Sequence, residues 1–222
     1  MILWPGPGDD GSLETSLPAA DAHLAACHPS LAALVASRGP CPLARRPPER
    51  GSHLEALAAA ICSQQLAGPA AAAIWARVRA LGPGGFDAPA VAVLDPADLR
   101  TAGLSRAKAA SLVDLARQVV EGRLDLDAVA TRDDDEVIAT LTRVRGIGRW
   151  TAQMFLIFRL QRLDVWPTGD LGVRRGYAVI HGLAGAPAPQ ELEGLGDAFR
   201  PWRSVAAWYC WRAVDAPAPA RR

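Results

Sequence analysis

Leu141-Thr142-Arg143-Val144-Arg145-Gly146-Ile147-Gly148-Arg149-Trp150-Thr151-Ala152 decides how the rest of the chain is read. An amphipathic helix ending near Leu141 runs into Val144-Arg145-Gly146-Ile147-Gly148, and a second helix begins at once. The spacing predicts a helix-hairpin-helix over 141–160. The two glycines permit positive φ and let bare backbone approach a partner closely. Ile147 is expected to plug the hairpin against the helices. The second helix then turns its first N–H groups outward, which makes a ready phosphate site. Gly146, Gly148 and Thr151, with Arg145 and Arg149 beside them, are the expected contacts to one DNA strand. Such a grip holds the backbone and reads no sequence. A bare Gly-x-Gly is equally what a plain tight αα-turn needs. The hydrophobic–x–Gly–hydrophobic–Gly pattern between two good helices, flanked by arginines, favours the DNA-backbone reading.

Outward from the hairpin the chain reads as helix after helix, so the expected class is all-α. Ser52-His53-Leu54-Glu55 is a capping box that opens a helix to about Ser63. Gly68-Pro69 starts another, to about Leu81. Asp95, Ser105 and Thr131 introduce three more, the last running to Leu141 with Asp133 to Glu136 favouring its N-terminus. Helices follow over Asp170–Gly182, Pro189–Phe199 and Pro201–Val214. Before the capping box, one helix is expected over Asp21–Ala36, residues 1–17 read as loose, and Gly39–Gly51 reads as a proline-broken linker.

Composition narrows the class. Half of the 222 residues are hydrophobic, enough for a core, and no apolar run reaches membrane-spanning length. The first residues lack the pattern of a secretory signal, so a cytoplasmic protein is expected. Cys27, Cys41, Cys62 and Cys210 are scattered, with no CxxC pair. That spacing suits neither a zinc site nor an iron–sulfur cluster, and the thiols are expected to serve as small hydrophobes. A net charge of +1 argues against coating nucleic acid by charge alone.

Asp170 lies 20 residues after Trp150, at the start of the helix Leu171–His181. An aspartate there is a natural helix N-cap. It is also what cleavage of an N-glycosidic bond wants, because that reaction builds positive charge on the sugar. A fixed carboxylate stabilises such a state and can orient or deprotonate water. Asp164, the nearest competitor, is expected to be structural.

LTRVRGIGRWTAQMFLIF (141–158) followed by DVWPTGDLGVRRGY (164–177) resembles the helix-hairpin-helix (HhH-GPD) DNA glycosylase superfamily. Within it the sequence is most similar to the 3-methyladenine DNA glycosylase II, or AlkA/Mag, type. ICSQQLAGPAAAAIWARV (61–78), LRTAGLSRAKAASLVDLA (99–116) and RPWRSVAAWYCWR (200–212) extend the resemblance over roughly residues 52–213.

The resemblance implies a compact two-lobed helical fold with the DNA cleft between the lobes and without the large N-terminal domain of the bacterial type enzyme. One lobe would be 52–164. The other would be 165–214, carrying Asp170, with the N-terminal segment 1–51 packed on it and 215–222 a disordered tail. Asp170 becomes the catalytic residue. Trp150, Trp211, Met154 and Leu171 fall where the family lines its base pocket, although Met154 and Leu171 replace tyrosines. Core packing remains the ordinary role of a tryptophan, and Trp202 and Trp208 are expected to take it. Gln65 corresponds to the wedge that fills the gap left by a flipped nucleotide, while Gln64 packs within the fold. Bifunctional members carry a lysine two residues past the second hairpin glycine. Trp150 stands there, and the only lysine, Lys108, lies in another helix, in a Ser-x-x-Lys-Ala element that fixes local structure or touches phosphate. The carbonyls of Thr142, Val144 and Ile147 match a site for a monovalent cation, Na⁺ or K⁺; no other cofactor is implied.

The expected protein is therefore a monomeric, monofunctional glycosylase of base excision repair, with no lyase activity. Its substrate would be damaged double-stranded DNA, from which it excises alkylated purines such as 3-methyladenine and 7-methylguanine. The alternatives are a different lesion (ethenoadenine, hypoxanthine or an oxidised purine) and a non-catalytic hairpin DNA binder.

Overall fold

The computed structural model of the protein describes residues 11–43, 51–66, 68–82 and 85–215. The elements are helices: α1 (Gly11–Cys27), α2 (Pro29–Arg38), α3 (His53–Ser63), α4 (Gly68–Arg79), α5 (Ala88–Ala92), α6 (Pro96–Thr101), α7 (Arg106–Val120), α8 (Leu126–Ala130), α9 (Asp134–Leu141), α10 (Arg149–Met154), α11 (Leu171–His181), α12 (Pro189–Leu195) and α13 (Arg203–Val214). A π-helical turn, Phe155–Arg159, continues α10, and a 3₁₀ turn, Asp197–Phe199, follows α12. The all-α expectation holds.

The caps explain where helices start. Ser52 Oγ accepts the Glu55 N–H at 3.2 Å while Glu55 Oε2 accepts the Ser52 N–H at 2.9 Å, closing the expected box. Asp95, Ser105 and Asp133 cap α6, α7 and α9. The helices α5 and α8 were not expected. Each has five residues, too short for an apolar period, though Asp87 and Asp125 cap them in the usual way.

Two compact units result: Glu49–Leu160 makes the body of one, and Gly6–Pro48 with Gln161–Arg222 makes the other. The boundary falls at Leu160, a little before the expected Asp164. In the first unit, Ala58, Cys62, Val78, Leu99, Leu112 and Ala116 form a closed core. Trp75 packs edge-on against Phe86 at its margin, with ring centroids 4.9 Å apart. The remainder of the first unit is α8, α9 and the hairpin.

The second unit corrects the reading of the N-terminal segment. It carries two helices, not one over Asp21–Ala36. Pro29 has no N–H to donate and takes the first turn of α2 instead. His28 is extended (φ −158°), and its Nδ1 accepts the Ser30 N–H at 3.2 Å. Part of the stretch expected to be loose belongs to α1, where Leu17 is wholly buried. Tyr209 of α13 donates to Asp21 Oδ1 at 2.8 Å, tying α1 to α13 inside the core. Residues 44–50 of the expected linker and 216–222 of the expected tail lie outside the described residues.

Asp164 has the structural role expected of it. Its carboxylate takes Arg203 as a fork, Nε to Oδ1 at 2.7 Å and Nη2 to Oδ2 at 2.9 Å, and also receives Arg200 Nη1 at 2.9 Å. Trp166 is buried and donates to Leu192 O at 2.8 Å, which anchors the loop that leads to Asp170.

Candidate active site and nucleic-acid interface

In the first unit the hairpin is built on α7. Gly146 has φ +78°, and a Cβ there would lie 2.2 Å from Ser111 Oγ. The position therefore needs glycine twice over, for its left-handed backbone and for its contact. Asp114 Oδ2 accepts the Arg145 N–H at 3.1 Å and ties the turn to α7. Ile147 is 3% exposed, the plug that was expected.

Gly148 behaves differently. It is extended (φ −91°, ψ 172°) and N-caps α10 without a side chain, and a Cβ there would meet nothing within 4 Å. Only the first glycine uses positive φ. Among the described residues nothing crowds position 148, and glycine there suits the N-cap of α10. Gly146, Gly148, Arg145 and Arg149 are all exposed. Thr151 is 3% exposed, and its hydroxyl accepts from Gln64 Nε2 at 3.4 Å.

Gln64 packs inward as expected, donating also to Gly146 O at 2.9 Å. Gln65 is exposed and left-handed (φ 57°), a conformation that side chains other than glycine disfavour. Trp150 is half-buried and Met154 is 4% exposed. Val144 O accepts the Ile147 N–H at 3.1 Å within the turn.

In the second unit the loop Pro167–Gly169 closes with the Asp170 N–H on Pro167 O at 2.9 Å. Asp170 is extended (φ −76°, ψ 120°) and N-caps α11, Oδ1 accepting the Val173 N–H at 2.8 Å. The same oxygen accepts Trp211 Nε1–H at 3.0 Å. The capping role and a held carboxylate therefore coexist. Two glycines of α11 make this possible. A Cβ at Gly176 would lie 2.0 Å from Cys210 O, and one at Gly172 would lie 2.8 Å from Trp211 Cδ1. With both absent, α13 lies directly against α11, and its Trp211 reaches the start of that helix. Leu171, next to the carboxylate, is 48% exposed. Cys210 lies behind it, its thiol held well above the usual range by burial and then by the Asp170 charge, so it stays protonated.

Comparison with known proteins agrees with this geometry. Residues 58–201 match the HhH-GPD superfamily of base excision DNA repair proteins. The chain belongs to this superfamily. It is 35% identical over 204 residues to DNA-3-methyladenine glycosylase 1 of Schizosaccharomyces pombe, covering 89% of this chain and 88% of that one. It is 41% identical over 198 residues to DNA-3-methyladenine glycosylase of Saccharomyces cerevisiae, covering 72% of this chain and 66% of that one. The structure of the S. pombe 3-methyladenine DNA glycosylase Mag1 in complex with abasic DNA superposes with a TM-score of 0.79 at 31% identity. The match covers 91% of this chain and 99% of that one.

Three features of this HhH-GPD chain escaped the sequence. The Gly172 and Gly176 pair is readable only in hindsight, as two glycines one helical turn apart on the helix that starts at Asp170. The Trp211 N–H contact depends on a second helix and has no local signal. The π turn at Phe155–Arg159 has none either; there Arg159 Nε donates to His53 Nδ1 at 3.0 Å and Nη2 to Gly51 O at 2.6 Å. Among the described residues no group of three or more His, Cys, Asp or Glu side chains could hold a metal ion. No helix among them is long and apolar enough to cross a membrane.

Proposed function

We propose that the chain is a monofunctional DNA glycosylase that removes alkylated purines from duplex DNA. The observation that carries this is Asp170 Oδ1 held by both the Val173 N–H and the Trp211 indole N–H. A carboxylate fixed by two donors keeps its orientation. The names of the S. pombe and S. cerevisiae relatives support the substrate class.

In this reading the hairpin backbone at Gly146–Gly148 and the first N–H groups of α10 hold a phosphate strand, with Arg145, Arg149 and the Thr151 N–H contributing. The damaged nucleotide leaves the stack, and Gln65 occupies the gap. As the C1′–N bond lengthens, its electron pair goes to the base, and positive charge grows on the sugar. Asp170 opposes that charge and takes a proton from the water that attacks C1′. A methylated purine already carries positive charge and leaves as a neutral base, so no general acid is needed. Trp150 and Trp211 supply aromatic faces for such a cation. Leu171 serves as the exposed aliphatic base contact, while Met154, 4% exposed, offers a base little surface. With Trp150 in the place of the Schiff-base lysine, no amine is set to open the backbone. The carbonyls of Thr142, Val144 and Ile147 would supply the oxygen ligands if the hairpin held Na⁺ or K⁺, although Val144 O already accepts the Ile147 N–H. The protein acts as a monomer on DNA in the cytoplasm.

The test is base release from methylated duplex DNA by the wild type and Asp170→Asn. The expected loss in the variant is at least about a hundredfold, the scale of removing one preorganised charge. Equal release by both would end the mechanism. DNA binding with no release by either points to a binder, unless ethenoadenine or hypoxanthine is released instead; exposed Leu171 in place of an aromatic residue gives that second substrate class its standing. Borohydride should trap no covalent adduct.

A further inference from the structure

One face of α7 organises both DNA-facing parts of the first unit. Lys108, Ser111 and Asp114 recur at three-residue spacing, so they share that face. Ser111 lies beneath Gly146, and Asp114 holds the Arg145 N–H. Lys108 turns to the other part. Its Nζ donates to Cys62 O at 2.9 Å and to Gln64 O at 2.6 Å. These are carbonyls at the C-terminal end of α3, where a cation is favoured. The next residue is Gln65, exposed and left-handed at φ 57°. Its conformation is disfavoured for a side-chain-bearing residue, so the flanking backbone must be held to keep it. The Lys108 ammonium holds that backbone from one side. The Gln64 amide, donating to Gly146 O, ties it to the hairpin from the other.

We propose that Lys108 is a positioning residue for Gln65: by clamping Cys62 O and Gln64 O it sets the left-handed turn that presents Gln65 to the duplex. It touches neither DNA nor the reacting atoms. Burial lowers the lysine's affinity for its proton, and the adjacent Cys62 thiol is itself pushed up to about 12 and stays neutral. Carbonyl dipoles therefore answer the ammonium.

The inference rests on Gln65 acting as the wedge, and the experiment separates the two ideas. Binding to an undamaged duplex and to the same duplex with a tetrahydrofuran abasic analogue is measured for wild type, Gln65→Ala, Lys108→Met and the double variant. Wild type should prefer the abasic duplex. Gln65→Ala and Lys108→Met should each cut that preference by about tenfold, the scale of losing charge-assisted contacts. Binding to undamaged duplex should stay within about twofold, because the hairpin grip on α7 is intact. The double variant should lose no more than either single one, the mark of two residues acting through one feature. Lys108→Arg, which keeps a charged donor, should recover most of the preference. If Gln65→Ala leaves the preference unchanged, the wedge reading falls and the clamp's purpose with it. If Gln65→Ala lowers it but the Lys108→Met loss simply adds, the wedge stands and the positioning role is wrong. Should Lys108→Met fail to fold, Lys108→Gln, which puts a shorter and uncharged amide in place of the ammonium, replaces it. Failure of both to fold assigns Lys108 to stability and overturns the proposal.

Discussion

The indole N–H of Trp211 donates to Oδ1 of Asp170 at 3.0 Å, across 41 residues of sequence. Trp211 was expected only as an aromatic face for a base. The contact gives it a second task, that of orienting the carboxylate. Trp211→Phe keeps the face and removes the donor. Single-turnover base release should slow by about tenfold, the scale of one hydrogen bond to a charged group, while affinity for the substrate duplex changes little. Loss of affinity with an unchanged rate would return Trp211 to base contact alone.

The two hairpin glycines should separate stability from binding. At Gly146 alanine meets Ser111 and adopts φ +78°, so Gly146→Ala should lower unfolding stability by about 1–2 kcal/mol or more. At Gly148 the added methyl meets nothing inside the protein. Gly148→Ala should cost under about 1 kcal/mol in urea unfolding. If the hairpin backbone grips a strand as proposed, the variant's affinity for any duplex should nonetheless fall by about tenfold. Normal DNA affinity in Gly148→Ala would remove the hairpin backbone from the interface.

Gly176→Ala should be the more damaging change in the second unit. Its Cβ would lie 2.0 Å from the Cys210 carbonyl, a backbone atom that cannot swing aside. Overpacking of this kind costs about 1–3 kcal/mol, and separating α11 from α13 would lengthen the Trp211–Asp170 contact. Both the urea midpoint and base release should drop. A fully stable, fully active variant would show that the close approach of the helices is dispensable.

Stability should fall in mild acid. His181 stacks on Tyr177 with centroids 4.1 Å apart and lies 4.4 Å from His28. Its Nε2 is buried with no hydrogen-bond partner among the described residues. Burial, and then His28, hold its pKa below the ordinary 6.5. The unfolded chain therefore binds more protons below that value. The contribution is complete above pH 6.5 and is lost as pH falls through the lowered folded value. His53 acts in the same direction through burial and Arg159, partly opposed by Asp127. The urea midpoint should decline between about pH 7 and about pH 5, and less steeply in His181→Phe. An unchanged slope in that variant would exclude His181 as a source.

Much of the fold and part of the site are legible along the chain because their causes are local. A Ser, Asp or Pro at a helix start acts on N–H groups two or three residues away, so Ser52, Asp95, Ser105 and Asp170 announce their helices. A Gly-x-Gly turn between amphipathic helices likewise carries its geometry within a few residues. Where a local signal was overlooked, as at Pro29, the helix boundary came out wrong although its cause was present in the sequence. Asp170 reads locally as a helix N-cap, and its catalytic role comes only with the resemblance to the glycosylase superfamily.

Other features depend on which helices lie side by side, and packing alone decides that. Lys108 reaches carbonyls 44 and 46 residues away, and Trp211 reaches Asp170 over 41. No spacing rule foretells such pairs, since they follow from the face each helix buries and from how closely two backbones can approach. The hairpin that opened the reading shows the division within itself. Its two glycines look alike in sequence, yet Gly146 fits its left-handed turn against Ser111 while Gly148 N-caps α10 with open space beside it. Only the position of α7 beneath the turn distinguishes them.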